Sequence, residues 1–93
     1  MIISMSSEVV LNDSVLTTLI DDELGMMSIK RGLYYTLNPV GKRIWEILER
    51  QMKVSEVVDT LRVEYDVELL VCEKDVLELL VLLEQNELIT VVE

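Results

Sequence analysis

Few residues in this chain could do chemistry. Cys72 is the one thiol, and no histidine is present. Acid–base catalysis near neutral pH needs a group that titrates there, or carboxylates close enough to shift one another. Glu64, Glu68, Glu73 and Glu84 instead fall where the pattern predicts solvated helix faces. Cys72 lies in the apolar stripe of a predicted helix and has no basic partner in sequence, so it reads as a buried, inert thiol rather than a nucleophile. The run Asp21-Asp22-Glu23 could hold a cation, but a solvated turn accounts for it better. There is no Cys or His cluster for zinc and no glycine-rich phosphate loop. The residues therefore predict no catalytic centre, no cofactor and no metal: the chain does not read as an enzyme.

What remains is the hydrogen-bonding chemistry of the main chain, and one stretch invites it. Leu33–Leu37, LYYTL, reads as a strand with no charged residue in it. Alternation turns Leu33, Tyr35 and Leu37 to one face, predicted to be the core, and Tyr34 and Thr36 to the other. If this is the last strand of its sheet it has a free edge, and edge strands are usually blunted by Lys, Pro or a bulge. Two readings stand: an edge covered by a helix of the same chain, or an edge that accepts a peptide as an extra strand.

The elements around it follow from periodicity. Val9–Leu11 is a marginal strand, and residues 1–8 are set apart as an N-terminal segment that need not be ordered, ahead of a domain over 9–93. The β-branched VLTTLI, 15–20, and MMSIK, 26–30, read as strands separated by the polar turn Asp21–Gly25. Arg31-Gly32 makes the next turn. Asn38 is a good helix N-cap and Pro39 suits the first helical position. Val40, Ile44, Ile47 and Leu48 form the stripe of that helix, with Gly41 placed for close packing against the sheet. Ser55 is expected to cap a second helix carrying Val57, Val58, Leu61 and Tyr65. A third helix spans about 71–85 with the stripe Cys72, Val76, Leu79, Leu80 and Leu83. Asn86 is expected in the left-handed C-terminal position, with Leu88 closing back and 88–92 adding a short strand. The order predicts an α+β, winged helix-turn-helix-like domain: a three-stranded antiparallel sheet followed by three α-helices.

The third helix carries more apolar surface than one stripe needs. Leu77, Val81 and Leu82 are left over, so this helix meets the terminal strand, a second copy in a homodimer, or a partner. Charge narrows the partner. The 93 residues carry a net charge of −10. Residues 55–93 hold eleven acids against two bases, whereas residues 33–54 hold four Lys/Arg against two Glu. An acidic half repels phosphates, which argues against nucleic acid and anionic membrane. A winged-helix DNA-binding protein would need cations on its recognition helix, yet Lys74 stands alone among Glu73, Asp75, Glu78 and Glu84. The N-terminus lacks a basic signal-peptide region, and the longest apolar run, Leu79–Leu83, is far short of the roughly 20 residues of a membrane span. A single cysteine fits a cytoplasmic protein.

These residues resemble a known family. YYTLNPVGKRIWEIL, 34–48, is similar to the signature of PqqD-like proteins through Leu37, Asn38, Gly41, Ile44, Trp45 and Leu48. VSEVVDTLRVEYDV, 54–67, resembles the family helix that ends in Tyr-Asp-Val. CEKDVLELLVLLEQNELI, 72–89, resembles its C-terminal helix through Asp75, Val76, Leu80, Leu83, Leu88 and Ile89. The likeness covers about residues 9–90, and Asn86 departs from the family's usual Gly. PqqD-like domains act as RiPP recognition elements, which bind the leader segment of a ribosomally made precursor peptide without catalysis. The resemblance implies that the leader adds a strand at Leu33, Tyr34, Tyr35, Thr36 and Leu37. It would lie against the third helix, with Cys72, Val76, Leu79 and Leu83 shaping apolar pockets and Asp75 or Glu78 meeting a basic residue. It is most similar to the stand-alone leader-binding proteins of lasso-peptide biosynthesis. The implied partners are then a cysteine-protease leader peptidase and an ATP-dependent cyclase. The alternative within the family is the peptide chaperone of pyrroloquinoline quinone biosynthesis, which serves a radical S-adenosylmethionine enzyme.

Overall fold

The structure is a computed structural model that describes residues 3–92. Its elements run β1 (Glu8–Leu11), β2 (Val15–Ile20), β3 (Glu23–Ser28), β4 (Leu33–Leu37), α1 (Pro39–Ile47), β5 (Met52–Lys53), α2 (Val54–Glu64), α3 (Leu69–Gln85) and β6 (Ile89–Val92). The class is α+β with the expected wing: an antiparallel sheet in the order β2-β3-β4, followed by three helices.

A second sheet, β5-β1-β6, draws the two ends of the chain together. Glu8 to Leu11 pair with Val92 back to Ile89, and Val9 at the centre of β1 is fully buried. Asn12 clamps this closure. Its backbone N–H donates to Leu88 O at 3.1 Å, its side-chain amide donates to Glu87 O at 2.6 Å, and Thr90 donates to its Oδ1. The segment ahead of the expected domain boundary at residue 9 packs onto the domain: Ile3 is buried in the core. Residues 1 and 2 of that segment, and residue 93 at the far end of the expected domain, lie outside the described residues.

The strand limits differ from expectation at both hairpins: β3 ends at Ser28 rather than Lys30, so residues 29–32 make the second turn. β3 begins at Glu23 rather than Met26, because Asp21 takes a left-handed φ of 56° and lets two residues make the turn. Gly25 then sits inside β3 under the side chains of Thr18 and Ile20, where a Cβ would come within 3.2 Å of either. Gly32, with φ 68°, closes the β3–β4 turn by donating to Ser28 O at 2.7 Å.

Among the helices, α1 starts as expected: Asn38 Oδ1 accepts the Gly41 N–H at 2.8 Å, and Pro39 follows the cap. At α2 the expected cap does not form. Ser55 lies within the first turn, and the helix starts at Val54. The N–H groups of Val54 and Ser55 donate instead to Ser7 O and Met5 O, and the Glu56 carboxylate accepts from Lys53 N. The N-terminal segment thus satisfies donors that a side chain would otherwise have to meet. At the end of α3 the left-handed residue is Glu87, φ 59°, not Asn86. Leu88 N–H reaches back to Leu83 O and Glu87 N–H to Glu84 O, the paired bonds of a Schellman closure, and Leu88 is buried as expected.

The core gathers Val9, Met26, Leu48, Val54, Val57, Val58, Val76, Leu80 and Leu88, all at most 1% exposed. On the surface, Arg43 of α1 grips Glu64 of α2 with two hydrogen bonds of 2.7 and 2.6 Å. The Arg43 guanidinium holds the Glu64 carboxyl below its ordinary range. Two outcomes check this packing. Leu80→Ala removes a fully buried side chain from α3 and should cost about 2–5 kcal/mol in urea unfolding. Glu64 is favoured in its charged form when folded, so its contribution holds above the ordinary carboxylate range and fades as pH falls through the lowered folded value. Glu64→Gln should therefore flatten the acid limb of a stability-against-pH curve and leave the neutral-to-alkaline limb parallel to wild type.

Candidate functional site

β4 is an edge strand of the wing: it pairs with β3 from Leu33↔Ser28 to Leu37↔Leu24, and nothing pairs with its far side among the described residues. Its side chains follow the alternation in part. Leu37 is buried and Tyr35 half-buried against the core, while Tyr34 and Thr36 are exposed; Leu33, expected inward, is 45% exposed at the hairpin end.

The opposite wall is α3. Cys72, Val76, Leu80 and Leu83 are buried and hold the helix against the core. The helix is pinned to β4 at its C-terminal end. Tyr35 donates its hydroxyl to Asn86 Oδ1 at 3.1 Å, and Arg31 donates to Gln85 O at 3.2 Å. Lys30 pairs with Glu87 beside them at 3.2 Å. One to three turns before that clasp, along Asp75–Leu82 in the middle of α3, a groove opens between helix and strand. It has a volume of about 610 Å³, with Thr36, Leu37 and Asn38 on one lip and Asp75, Glu78, Leu79 and Leu82 on the other. Val40, Gly41 and Ile44 of α1 lie between them. Next to it, sharing Val40, Ile44 and Asp75, is an apolar recess of about 220 Å³ that also touches Leu61, Tyr65, Val67, Cys72 and Val76.

Of the residues singled out from sequence, Thr36, Leu37, Asp75, Glu78 and Leu79 thus meet around one groove. Cys72 and Val76 reach the adjoining recess from the core side. Tyr35 serves the core and the clasp on α3, and Leu83 lies in the core. Leu33 and Tyr34 project to solvent beyond the groove. Sequence reasoning assigned Val40 and Ile44 to the core stripe and missed their role in the groove. The signal for Leu82 was present: it was one apolar residue too many for α3, and it is 54% exposed at the groove's lip.

The groove is apolar at its base and acidic at one rim. Asp75 and Glu78 are its charged lining residues, and both are exposed. Lys74 approaches Glu78 only at 4.0 Å across open solvent, where such a pair contributes little. Gly41 fits closely: a Cβ there would lie 3.2 Å from Leu37 Cβ and 3.4 Å from Asn38 Oδ1. Burial pushes the Cys72 thiol up, with Asp75 and Glu73 adding to it and Arg62 opposing, so the thiolate is disfavoured. No group of His, Cys, Asp or Glu that could hold a metal ion occurs among the described residues. No helix there is long and apolar enough to cross a membrane.

Tyr35→Phe removes the hydroxyl that ties β4 to α3 and should lower stability by about 1 kcal/mol, read from the denaturation midpoint. Gly41→Val forces a branched side chain against Leu37 and the cap, and should cost about 1–3 kcal/mol in the same measurement.

Comparison with known proteins places this geometry. No curated protein matches the chain in sequence. A solved structure, "TbiB1 in Complex with the TbiA(beta) Leader Peptide", is 35% identical with a TM-score of 0.80, covering 86% of this chain and 93% of that one. A second, "Lasso peptide synthetase B1 complexed with the leader peptide", has a TM-score of 0.78 over 88% of this chain and 96% of that one. At 23% identity it speaks to the fold alone. The family model described as "Coenzyme PQQ synthesis protein D (PqqD)" matches residues 23–89, from β3 through the first residue of β6. That span, together with the 35% identity over nearly the whole of the first structure, establishes that the chain belongs to the PqqD family.

Proposed function

We propose that this protein is a non-catalytic adaptor that binds the leader of a ribosomally made precursor peptide as an added strand on β4. The observation that carries the reading is the unpaired β4 edge beside an apolar groove walled by α3. An extended guest would bond to the free N–H and C=O groups of Leu33–Leu37 and set alternate side chains over Val40, Ile44, Leu79 and Leu82. Asp75 and Glu78 would attract a Lys or Arg of the guest. The likeness to TbiB1, a protein seen with a leader peptide, supports the same use of the fold. The pathway favoured is lasso-peptide biosynthesis in the cytoplasm, with the bound precursor handed to a cysteine-protease leader peptidase and an ATP-dependent cyclase. Affinity for the leader should fall between micromolar and nanomolar, about 8–12 kcal/mol.

Two experiments test the dock. In an antiparallel strand, successive residues aim their N–H groups at opposite edges, so Tyr35 and Thr36 differ in which side they serve. Of Tyr35→Pro and Thr36→Pro, one should disrupt pairing with β3 and lower the melting temperature. The other should stay folded and lose leader affinity by at least about thirtyfold, two to three kcal/mol for a lost bond and a misplaced ring. A variant that melted like wild type and bound leader like wild type at both positions would remove β4 as the dock. For the rim, Asp75→Lys with Glu78→Lys should weaken a leader bearing Lys or Arg by about tenfold at low salt, and the deficit should shrink at high salt. An unchanged affinity in fluorescence anisotropy would exclude the rim from recognition.

A further inference from the structure

β2, at the other edge of the wing, is the barest element of the fold. Its residues from Leu16 to Ile20 are all exposed. Leu16, Leu19 and Ile20 are 58%, 64% and 53% exposed. The register with β3 and the period of a strand put Leu16 and Ile20 on one face and Leu19 on the other. Apolar surface is therefore bare on both faces of the same strand. Six successive pairs, Val15↔Ser28 to Ile20↔Glu23, run without a bulge. No Lys and no Pro interrupts the strand. Within β2 itself, neither Lys, Pro nor a bulge blunts the edge.

The placement of the apolar groups selects the kind of occupant. A helix laid on either face would leave the other face bare, whereas a strand joined edge to edge brings side chains to both. Charge then separates two sources of such a strand. Asp13 stands before β2, and Asp21, Asp22 and Glu23 follow it. Antiparallel pairing of two copies about Thr18 would set Asp21–Glu23 of each against Asp13–Val15 of the other. The net charge of −10 on each chain adds to that repulsion. The acidic brackets favour a foreign strand with cations at its ends.

We propose that β2 is a second strand-accepting edge, at which a partner protein docks an uncharged, aliphatic strand flanked on both sides by Lys or Arg. With the leader on β4, which is the one step here that rests on the proposed function, partner strand and leader would lie four strand spacings apart, about 19 Å. An enzyme held at β2 would then sit beside the peptide it modifies.

The test uses the full chain labelled with nitrogen-15 and the probe acetyl-Lys-Lys-Val-Thr-Val-Thr-Val-Lys-Lys-amide, beside a twin with Glu at every Lys. The Lys probe should shift the amides of Val15–Ile20 and bind at least tenfold more tightly than the Glu twin at low salt. The double variant Leu16→Lys, Leu19→Lys should lose this binding while keeping its melting temperature and its leader affinity. The proposal falls if the Lys probe leaves 15–20 unshifted, or if the two probes bind equally. It also falls if sedimentation shows a dimer that the double variant splits, since a second copy would then own the edge. Leader affinity is measured separately with leader peptide, so a chain that bound the Lys probe at β2 but no leader would sink the leader-binding role and leave this inference standing.

Discussion

The groove exists because α3 is held at two places and free at a third. Its buried stripe, Cys72, Val76, Leu80 and Leu83, fixes the helix against the core. At its C-terminal end, Tyr35 and Arg31 fasten it to the wing through Asn86 Oδ1 and Gln85 O. Between these constraints the helix cannot slide onto β4 to cover the edge. Closing the gap would break the Tyr35 bond or pull the stripe out of the core, and each buried apolar side chain lost would cost a few kcal/mol. The slot is a consequence of packing elsewhere, so it stands open before any guest arrives.

That prior construction matters for binding. Strand addition is costly when both partners must order, because each residue fixed carries about 1–2 kcal/mol of backbone entropy. Here one strand and its wall are already in place, held by β3 on one side and the clasp to α3 on the other. A disordered guest then bears the ordering cost alone. The same economy of support explains the clamp at Asn12. By tying β1 to the residues just after α3, it keeps the far end of the helix from fraying, where the clasp must hold.

Local signals made most of the wing and helices readable. Asn38-Pro39 announced α1, β-branched and aromatic residues announced β2 and β4, and the surplus of Leu77, Val81 and Leu82 on α3 pointed to a surface with work beyond the core. What stayed hidden was non-local. The sheet β5-β1-β6 joins residues some eighty positions apart, and one of its strands has two residues, too few for any periodicity. The α2 cap misled for the same reason: its donors are met by the carbonyls of Met5 and Ser7, a bond between distant segments, so a serine at the right spacing was not used. Val40 and Ile44 show the limit in the site itself. Helical spacing says that they face inward, but only the position of α3 decides whether inward means core or groove.

Main-chain bonding alone cannot tell one leader from another, because every peptide offers the same N–H and C=O groups. Selection has to come from what lies beneath and beside the added strand. Beneath a strand added on β4 would lie Val40, Ile44, Leu79 and Leu82, which in the proposed role would favour apolar side chains at alternate positions of a guest. Beside it are Asp75 and Glu78, and here exposure is an advantage. A rim carboxylate left in water carries no desolvation cost, so in the proposed role it would attract a cation at range and exclude an acidic guest by repulsion. In the role proposed, affinity would arise from the edge and the apolar base, and discrimination from a few side chains on α1 and α3. Related chains could then change their peptide by altering those positions, while β4 keeps the same backbone offer.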